Sequence, residues 1–454
     1  MPELHASFAQ VDITPEQPVS LLGYFTDRRS EGVLDRLHCR IAAFSSGEQR
    51  LLFVQMDTCL FTAVDAARLA HAAARASGVP VEGVMVFASH THTAPALADL
   101  YAVKRDADYL DFLESTISSA AARLGPGEPV EVRVCRGRAP GIASNRRWWL
   151  ANGTVATNPP RMHASLVRPE GPVDDEVNTV VVARPGGMPL GLLVSASNHV
   201  DTMGGNLVSA DWPGTMEEEI RAALGAATVV IPCIGAAGNI NHFDFTRAVE
   251  QSSCGEARRI GRAYASAVLA SLAAGTTAQA LPLAAVRRVM RVPGIEISAE
   301  EMEHARDLLK KPTAPGKEHD LTAEDIFAGD PAVERIFAEA LLGLVRERPG
   351  AYEVPLQLVR LGGIGFFAIP GEPFVEIGIA LKAIPGFDLA VPMGLANGYF
   401  GYIPPRECFG RGGYEVKPGP ALLDRDAAER IVEAFREMSG QLPRLSRAEG
   451  TGSA

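Results

Sequence analysis

Apolar runs bounded by turn residues alternate with longer amphipathic stretches along most of this chain. Short runs such as Val-Met-Val-Phe at residues 84–87 predict buried strands, whereas residues 106–124, which end before Gly-Pro, predict a helix. The predicted strands cover residues 40–44, 51–56, 84–87, 130–136, 179–183, 191–195, 228–234, 281–292, 354–361, 364–369 and 389–392. The other predicted helices cover residues 63–76, 214–224, 255–272 and 425–438. The alternation predicts an α/β fold, with a mixed sheet layered with helices.

Residues 296–350 have a different pattern, because they are charged and helical in periodicity. A Lys-Lys-Pro break at residues 310–312 interrupts them. We expect a helical insertion here that packs on the main body or covers its rim. The rest of the chain is expected to form one domain, residues 1–445, that contains this insertion.

Composition and charge exclude several classes of function. A net charge of −11 argues against a nucleic-acid partner, since nothing forms a basic stripe. No apolar run reaches the ~18 residues that a membrane span needs, and the N-terminus lacks the pattern of a signal peptide. The 6 cysteines have no C-x-x-C spacing and are expected to be reduced thiols, which predicts a cytoplasmic protein. The expected partner is a small molecule, and formation of a homo-oligomer is left open.

Two histidines lie just beyond a predicted buried strand. The segment at residues 88–95 reads Ala-Ser-His-Thr-His-Thr-Ala-Pro and follows the apolar run at 84–87. On an extended segment, side chains at i and i+2 point the same way, so His90 and His92 are expected to face one site. Neutral imidazoles in this position are good ligands for a divalent metal.

Three further candidate ligands also follow predicted strands. His199 comes after the strand at 191–195, Glu372 after the strand at 364–369, and Tyr402 a few residues beyond the strand at 389–392. Strand ends of an α/β sheet converge on one edge, where such folds place their sites. Two histidines and one carboxylate with an open position are a common catalytic zinc set.

Each candidate also has a purely structural interpretation. These are backbone-bonded histidines at 90 and 92, a loop pair of His199 with Asp201, a helix cap at Glu372, a packed aromatic at Tyr402, and a solvated turn at Asn145-Arg146. Asp57 either orients a ligand histidine or caps a turn. His242 and Asp244 are either substrate contacts or residues of a surface loop.

The order of these motifs resembles that of the neutral/alkaline (non-lysosomal) ceramidase family. The resemblance runs from about residue 6 to residue 439, which corresponds to the N-terminal catalytic domain of that family only. It is carried by Ser-His-Thr-His-Thr-Ala-Pro at 89–95, Asn145-Arg146, His199 followed by Thr202-Met203, Pro-Gly-Glu-Pro at 370–373, Tyr-Phe-Gly-Tyr at 399–402, and residues 406–415 with Tyr414-Glu415. It implies a zinc ion held by His90, His199, Glu372 and Tyr402, with His92 as a neighbouring catalytic histidine.

The sequence departs from the family pattern in one loop. The family has Ser-Asn-x-Gly-Asp where this chain has Gly-Ala-Ala-Gly-Asn at residues 235–239, so Gly235 takes the position of the catalytic-loop serine and Asn239 that of the aspartate. Glycine offers no nucleophile. We therefore expect hydrolysis without a covalent acyl-enzyme, and poor turnover of ceramide.

Together these features predict a zinc-dependent hydrolase that uses metal-activated water to cleave a non-peptide amide bond in a small soluble substrate. His92 is expected to move a proton, Tyr402 to donate to a developing oxyanion, and Arg146 to position the substrate. Asn145, Gly235 and Asn239 are expected at the substrate-binding surface. The alternatives are an esterase, lactonase or glycoside-cleaving enzyme on the same metal scaffold, and a non-enzymatic metal-binding protein.

Overall fold

The structure is a computed structural model that describes residues 3–279, 281–312, 321–347 and 349–443. Its strands are β1 His5–Asp12, β2 Ser20–Leu21, β3 Arg28–Arg29, β4 Gly32–Val33, β5 His38–Ser46, β6 Gln49–Met56, β7 Val84–Ala88, β8 Glu128–Pro129, β9 Glu131–Arg138, β10 Ser144–Asn145, β11 Arg147–Leu150, β12 Val155–Thr157, β13 Leu166–Pro169, β14 Glu176–Ala183, β15 Pro189–Ala196, β16 Leu207–Val208, β17 Val229–Ile234, β18 Ile240–Asn241, β19 Thr276–Thr277, β20 Leu283–Pro293, β21 Ala351–Leu361, β22 Ile364–Ala368, β23 Glu372–Pro373, β24 Leu389–Met393 and β25 Tyr402–Ile403. Its α-helices are α1 Ala63–Ser77, α2 Ala107–Ala122, α3 Asp211–Leu224, α4 Cys254–Ser271, α5 Ala299–Lys310, α6 Ala323–Ala328, α7 Pro331–Glu347, α8 Val375–Lys382 and α9 Ala427–Gln441.

Three larger sheets carry the fold, with strand orders β7-β6-β5-β1-β8, β17-β15-β14-β9-β19 and β20-β21-β22-β24. Most neighbouring strands are antiparallel, but each sheet contains one parallel pair: β6 with β7, β15 with β17, and β22 with β24. The α/β fold with mixed sheets is confirmed, although three sheets replace the single mixed sheet expected from the sequence.

The inner faces of the three sheets meet in one apolar core. Side chains alternate along a strand, so every second residue faces this core. Phe44 and Phe53 come from the first sheet, Val182 and Ile231 from the second, and Phe366 from the third, and all five are buried in the same cluster. This shared core fixes the positions of the sheets relative to one another.

Each sheet is covered on its outer face by helices. The first packs against α1 and α2, the second against α3 and α4, and the third against α8 and α9. Helix α1 shows why these segments are helical: Thr62 caps its N-terminus by accepting from the Asp65 backbone N–H. Gly78 ends it in the left-handed conformation that glycine adopts at little cost.

Residues 294–350 connect β20 to β21, which are neighbouring antiparallel strands paired from Leu283–Leu361 to Pro293–Ala351. Helices α5, α6 and α7 lie in this connection, and α5 packs against α7 through Ala305, Ala338 and Leu341. A long helical connection between two paired neighbouring strands is typical of an insertion. The insertion at residues 296–350 within one domain therefore remains our prediction.

Among the residues that the structure describes, none of the helices is both long and apolar enough to cross a bilayer.

Candidate metal centre

The carboxyl ends of the three parallel strand pairs converge on one region, as strand ends in α/β folds do. His90 and His92 follow β7, His199 follows β15, and Glu372 follows β22. The connecting loops are joined directly: the backbone N–H of His92 donates to Val200 O at 3.2 Å. Four side chains from all three sheets therefore meet at one point.

His90 reaches this point by a different backbone geometry from the one expected. Strand β7 ends at Ala88, and His90 has φ +67°, in the left-handed region. Its backbone N–H donates to Thr58 O at 2.8 Å, which holds the turn after β6 against the turn after β7. The expectation that His90 and His92 share an extended segment is wrong, because a turn rather than strand periodicity brings their rings together.

The hydrogen bonds of His90 and His199 indicate which ring nitrogen carries the proton. His90 Nδ1 lies 3.0 Å from Cys59 O, and His199 Nδ1 lies 3.3 Å from Ala237 O. A carbonyl oxygen only accepts, so each Nδ1 is the protonated donor in the neutral ring. Both Nε2 atoms are then bare, which is how metal-ligating histidines are usually oriented.

Three bare ligand atoms face a common centre. His90 Nε2 is 3.1 Å from His199 Nε2 and 3.4 Å from Glu372 Oε2, and His199 Nε2 is 3.6 Å from the same oxygen. Ligands at zinc bond lengths with tetrahedral angles lie about 3.3 Å apart. Glu372 Oε2 is buried and has no hydrogen-bond partner among the described residues. Spacing, donor types and the unpartnered oxygen all fit a divalent metal.

The pKa values of these three residues also indicate that a positive charge is favourable at this centre. Burial disfavours protonation of His90, but the Glu372 carboxylate and Cys59 together outweigh it and raise the pKa of His90 well above its usual value. Burial and then the Arg146 charge hold the pKa of His199 well below its usual value. Burial opposes ionisation of Glu372, but interactions with His90, Arg146 and Tyr399 together outweigh it and lower the pKa of that carboxyl.

The two tyrosines of the Tyr-x-x-Tyr motif have different contacts. Tyr399 OH donates to Glu372 Oε1 at 2.9 Å and so orients the carboxylate. The Tyr402 ring packs edge-on against Tyr414 at 5.7 Å, and Arg146 lies 5.2 Å from the Tyr402 ring centroid. Tyr402 lines the same cavity as the metal centre. Its role as a metal ligand remains a prediction, and Tyr399 is a contact that the sequence did not single out.

Arg146 is buried beside the metal centre with part of its guanidinium free. Its Nε donates to Glu415 Oε1 at 3.0 Å, and its Nη1 lies 3.5 Å from His199 Nε2. Nη2 is buried and has no partner among the described residues. The ion pair with Glu415 fixes the side chain, and Nη2 remains able to donate to a substrate. The solvated-turn interpretation of Asn145-Arg146 is wrong, since both residues are buried.

His92 forms the edge of the centre. Its Nε2 lies 3.3 Å from His90 Nε2, and its Nδ1 lies 3.6 Å from Asp201 Oδ1. Tyr24 packs edge-on against the His92 ring at 5.6 Å. Burial lowers the pKa of His92, so the ring is held neutral at the pH where a base must accept a proton.

Three predicted substrate-binding residues do not line the cavity. Asn239 accepts from the Val375 backbone N–H at 2.8 Å and donates to Glu376 at 2.9 Å, so it holds the start of α8. Asn145 donates to Pro172 O at 3.1 Å and accepts from the Arg147 N–H at 3.0 Å. A Cβ at Gly235 would lie 2.5 Å from Ser197 Oγ. The structure thus gives the two asparagines structural hydrogen bonds, and direct substrate contact by any of the three remains only a prediction.

Other candidates from the sequence are also placed. Asp57 is fully buried and accepts from Arg40 Nη1 at 2.8 Å and from the His38 backbone N–H at 2.9 Å, so it belongs to a buried ion pair. His242 lines the cavity, whereas Asp244 accepts from Thr246 in a turn.

Cys59 lies at the site, although the sequence predicted for it only a reduced thiol. Its Sγ lies 3.8 Å from His90 Nδ1, and it lines the cavity. Burial opposes ionisation of the thiol, but its interactions with the neighbouring His92 and His90 rings, hydrogen bonds included, lower the pKa of Cys59 to about 7. Its place just beyond the end of β6 is the signal that could have identified it.

The metal centre opens into a cavity of about 1740 Å³. Typical small-molecule pockets enclose roughly 300–1,000 Å³, so this one has room for a larger ligand. One wall comes from residues 321–346, where charged side chains such as Glu324 and Glu339 alternate with an apolar group formed by Leu321, Ile326, Ile336 and Leu344. The cavity therefore combines a polar floor with apolar side chains on one side.

Three mixed sheets with a metal-type centre at their parallel strand ends define an α/β protein of the neutral ceramidase fold. A crystal structure of neutral ceramidase from Pseudomonas aeruginosa shares this fold with a TM-score of 0.73 and 19% sequence identity, covering 98% of this chain and 75% of that chain. A ceramidase complexed with C2 gives a TM-score of 0.71 and 18% identity, covering 99% of this chain and 77% of the other.

No protein-family model matches this sequence, and no curated protein matches it significantly. The likeness rests on the fold, which confirms the ceramidase-like architecture expected from the motifs.

Proposed function

We propose that this protein is a metal-dependent hydrolase that cleaves amide bonds, with zinc as its metal. The observation that carries this proposal is the convergence of His90, His199 and Glu372 at the spacing of a tetrahedral ligand set, on the floor of a large cavity. The similarity of the fold to ceramidases, which act on an amide, supports the choice of bond.

Zinc fits the donors best, because two neutral imidazoles and one carboxylate form an open catalytic set of the zinc type. A bound zinc ion supplies Lewis-acid polarisation of a carbonyl and lowers the pKa of water toward ~7.

The protein's own groups divide the remaining work. Arg146 Nη2, buried and unpartnered, donates a hydrogen bond to the oxygen that becomes negative as the amide carbon turns tetrahedral. The hydroxyl of Tyr402, on the same side of the cavity as Arg146, is a second donor for this oxygen. His92 takes the proton from the attacking water and delivers it to the departing nitrogen.

No covalent acyl-enzyme forms in this proposal. Gly235 provides no nucleophile, and the chain relies on water for the attack. The reaction then shows no burst of product, and one solvent oxygen enters the acid directly. An acyl adduct on a serine, seen by intact-mass measurement, would contradict this route.

The substrate is proposed to be an amide with an apolar group. A small polar ligand would leave the apolar side chains of the wall at residues 321–346 in contact with water, which is unfavourable. These side chains are Leu321, Ile326, Ile336 and Leu344. They therefore favour, among the small soluble substrates expected from the sequence, one that has an apolar part.

A reducing compartment, and hence the cytoplasm, is the proposed location. All six cysteines are unpaired thiols, and five of them are buried.

The proposal is tested with zinc-loaded protein and matched chromogenic amides, esters and glycosides, together with ceramide. We expect amide turnover that a chelator abolishes and zinc restores, with ceramide among the poor substrates. His199→Ala should remove turnover, and the surface variant His163→Ala should keep it. Ester or glycoside turnover without amide turnover would contradict the proposal.

A further inference from the structure

The cavity wall beside His92 carries a carboxylate and an imidazole that the proposed reaction does not use. Asp201 and His242 both line the cavity. The Asp201 side chain is 29% exposed there, and its Oδ1 accepts a hydrogen bond from the Tyr24 hydroxyl. The bond from Tyr24 uses only Oδ1, so the second oxygen of the carboxylate can still accept a hydrogen bond.

His242 is held with one nitrogen bare. Its Nε2 lies 2.7 Å from Gln251 O, and because a carbonyl only accepts, Nε2 is the protonated nitrogen. Nδ1 of the neutral ring is then an acceptor. Nδ1 is buried and has no hydrogen-bond partner among the described residues, and the whole residue is only 4% exposed. A buried polar atom without a partner costs free energy until a ligand or water donates to it.

Asp201 lies next to His92, the residue that is proposed to move the proton. Asp201 Oδ1 is 3.6 Å from His92 Nδ1, and His92 Nε2 is 3.3 Å from the metal ligand His90. Since His92 delivers a proton to the departing nitrogen, the amine half of the substrate emerges beside Asp201. The nearby cation Arg28 stacks on Tyr24 at 3.8 Å and donates to His92 O at 2.7 Å. These two contacts fix the position of its side chain.

We propose that Asp201 and His242 form a donor subsite: a binding site for a hydrogen-bond-donating group, a hydroxyl or a protonated amine, on the amine half of the substrate close to the scissile nitrogen. This inference rests on the proposed amide hydrolase function and adds a recognition element to it. The two acceptors discriminate against an amine half that carries only hydrocarbon, because they would then be buried without a donor.

The test measures binding to zinc-loaded, full-length protein with probes that cannot be hydrolysed. Three octanesulfonamides differ only at the end of the amine half: N-(2-hydroxyethyl), N-(2-aminoethyl) and N-ethyl. By calorimetry, the hydroxyl or the amine probe, or both, should bind about tenfold more tightly than the ethyl probe, since a hydrogen bond to a charged group contributes that much or more. The preferred probe identifies which donor the subsite takes.

Variants assign the preference to the two residues. Asp201→Asn and His242→Phe should each reduce the preference severalfold while leaving the Kd of the ethyl probe nearly unchanged. Glu324→Gln, which removes a carboxylate from the α6 wall of the same cavity, should preserve the preference. Thermal unfolding of each variant shows that it is folded before binding is compared.

The outcomes separate this inference from the proposed function. Equal binding of all three probes, or no binding of any, overturns the donor subsite even if amides are hydrolysed. A donor preference that survives both variants also overturns it. A preference lost in both variants supports the subsite even if the amide panel shows no turnover, which would instead count against the proposed function.

Discussion

The hydroxyl of Ser197 occupies the space that a side chain at position 235 would need. A Cβ at Gly235 would lie 2.5 Å from Ser197 Oγ, well inside contact distance. Gly235→Ala should therefore lower the free energy of unfolding by about 1–3 kcal/mol, as overpacking does. In a Ser197→Ala background the same change should cost clearly less, because the obstructing oxygen is gone. Urea unfolding of the four proteins measures this coupling, and equal costs in both backgrounds would contradict it.

Tyr399 and Tyr402 can be distinguished by their effect on metal affinity. Tyr399 OH orients Glu372, so Tyr399→Phe should weaken zinc binding about 10–100-fold, the usual effect of losing a partner that orients a ligand. Competition with a zinc chelator measures the Kd. A larger loss with Tyr402→Phe than with Tyr399→Phe would show that Tyr402 is itself a ligand.

At the scale of residues, the sequence pointed to candidates through their places at strand ends. His90, His199 and Glu372 were chosen because strand ends of one sheet converge on one edge; the structure does bring them together at strand ends, but these strands belong to three different sheets. The contacts of Tyr399 and Cys59 are made between loops that follow neighbouring strands of the same sheet, β24 with β22 and β6 with β7. The positions of both residues beyond strand ends were a signal, but the sequence does not show how these loops turn toward each other, so both residues were missed.

Helix α3 and strand β5 are joined by a fully buried ion pair. Arg40 donates to Glu217 on α3 and to Asp57 after β6, and all three are buried. Arg40→Met should lower the free energy of unfolding by about 3–5 kcal/mol, because it leaves Asp57 buried without a counter-charge and leaves Glu217 with Arg221 as its cationic partner. The exposed pair of Arg262 with Glu219 is the control, and Arg262→Met should cost below about 1 kcal/mol. Similar costs for the two variants in urea unfolding would contradict this account.

Asp211, the first residue of α3, makes stability depend on pH. Burial raises the pKa of its carboxyl from 3.8 to about 6, although backbone N–H groups of Met203, Trp212 and Thr202 oppose the shift. The folded state thus holds the proton more tightly than the unfolded chain does. Folding stability from this group is present below about pH 4 and is lost as pH rises to about 6.

Asp211→Asn does not titrate, so the two proteins should differ in a pH-dependent way. The free energy of unfolding of the natural protein, minus that of the variant, should fall by about 2 kcal/mol between pH 4 and pH 7. Urea unfolding with excess chelator measures this without a contribution from metal release. A difference that stays constant over this range would contradict the assignment.

At the scale of elements, long segments were predictable and short ones were not. Helix α1 was expected at residues 63–76 and spans Ala63–Ser77, because its apolar positions recur with helical spacing. Strand β1, His5–Asp12, was missed because most of its residues are only half-buried and alternate weakly. The sheet of β11, β12 and β13 was missed because its strands are too short to show a period.

For the whole molecule, the connection between β20 and β21 should be the first place that a protease cuts. Lys310 and Lys311 are exposed at the end of α5, and trypsin should cleave there first. The second break considered from the sequence, residues 314–316, lies outside the described residues. The two fragments should stay associated, because β20 and β21 remain paired along their whole length. Mass spectrometry of early fragments checks this, and first cuts within the three sheets would contradict the predicted insertion.

Residues from all three sheets are proposed to hold one metal ion, and the metal content of the protein measures this. Protein purified without chelators and supplied with zinc should hold about one zinc per chain by elemental analysis. His90→Ala and His199→Ala should hold almost none, because each opens the site by removing one of three strong ligands. His163→Ala, an exposed histidine, should hold as much as the natural protein. Full zinc occupancy in both ligand variants would contradict the account.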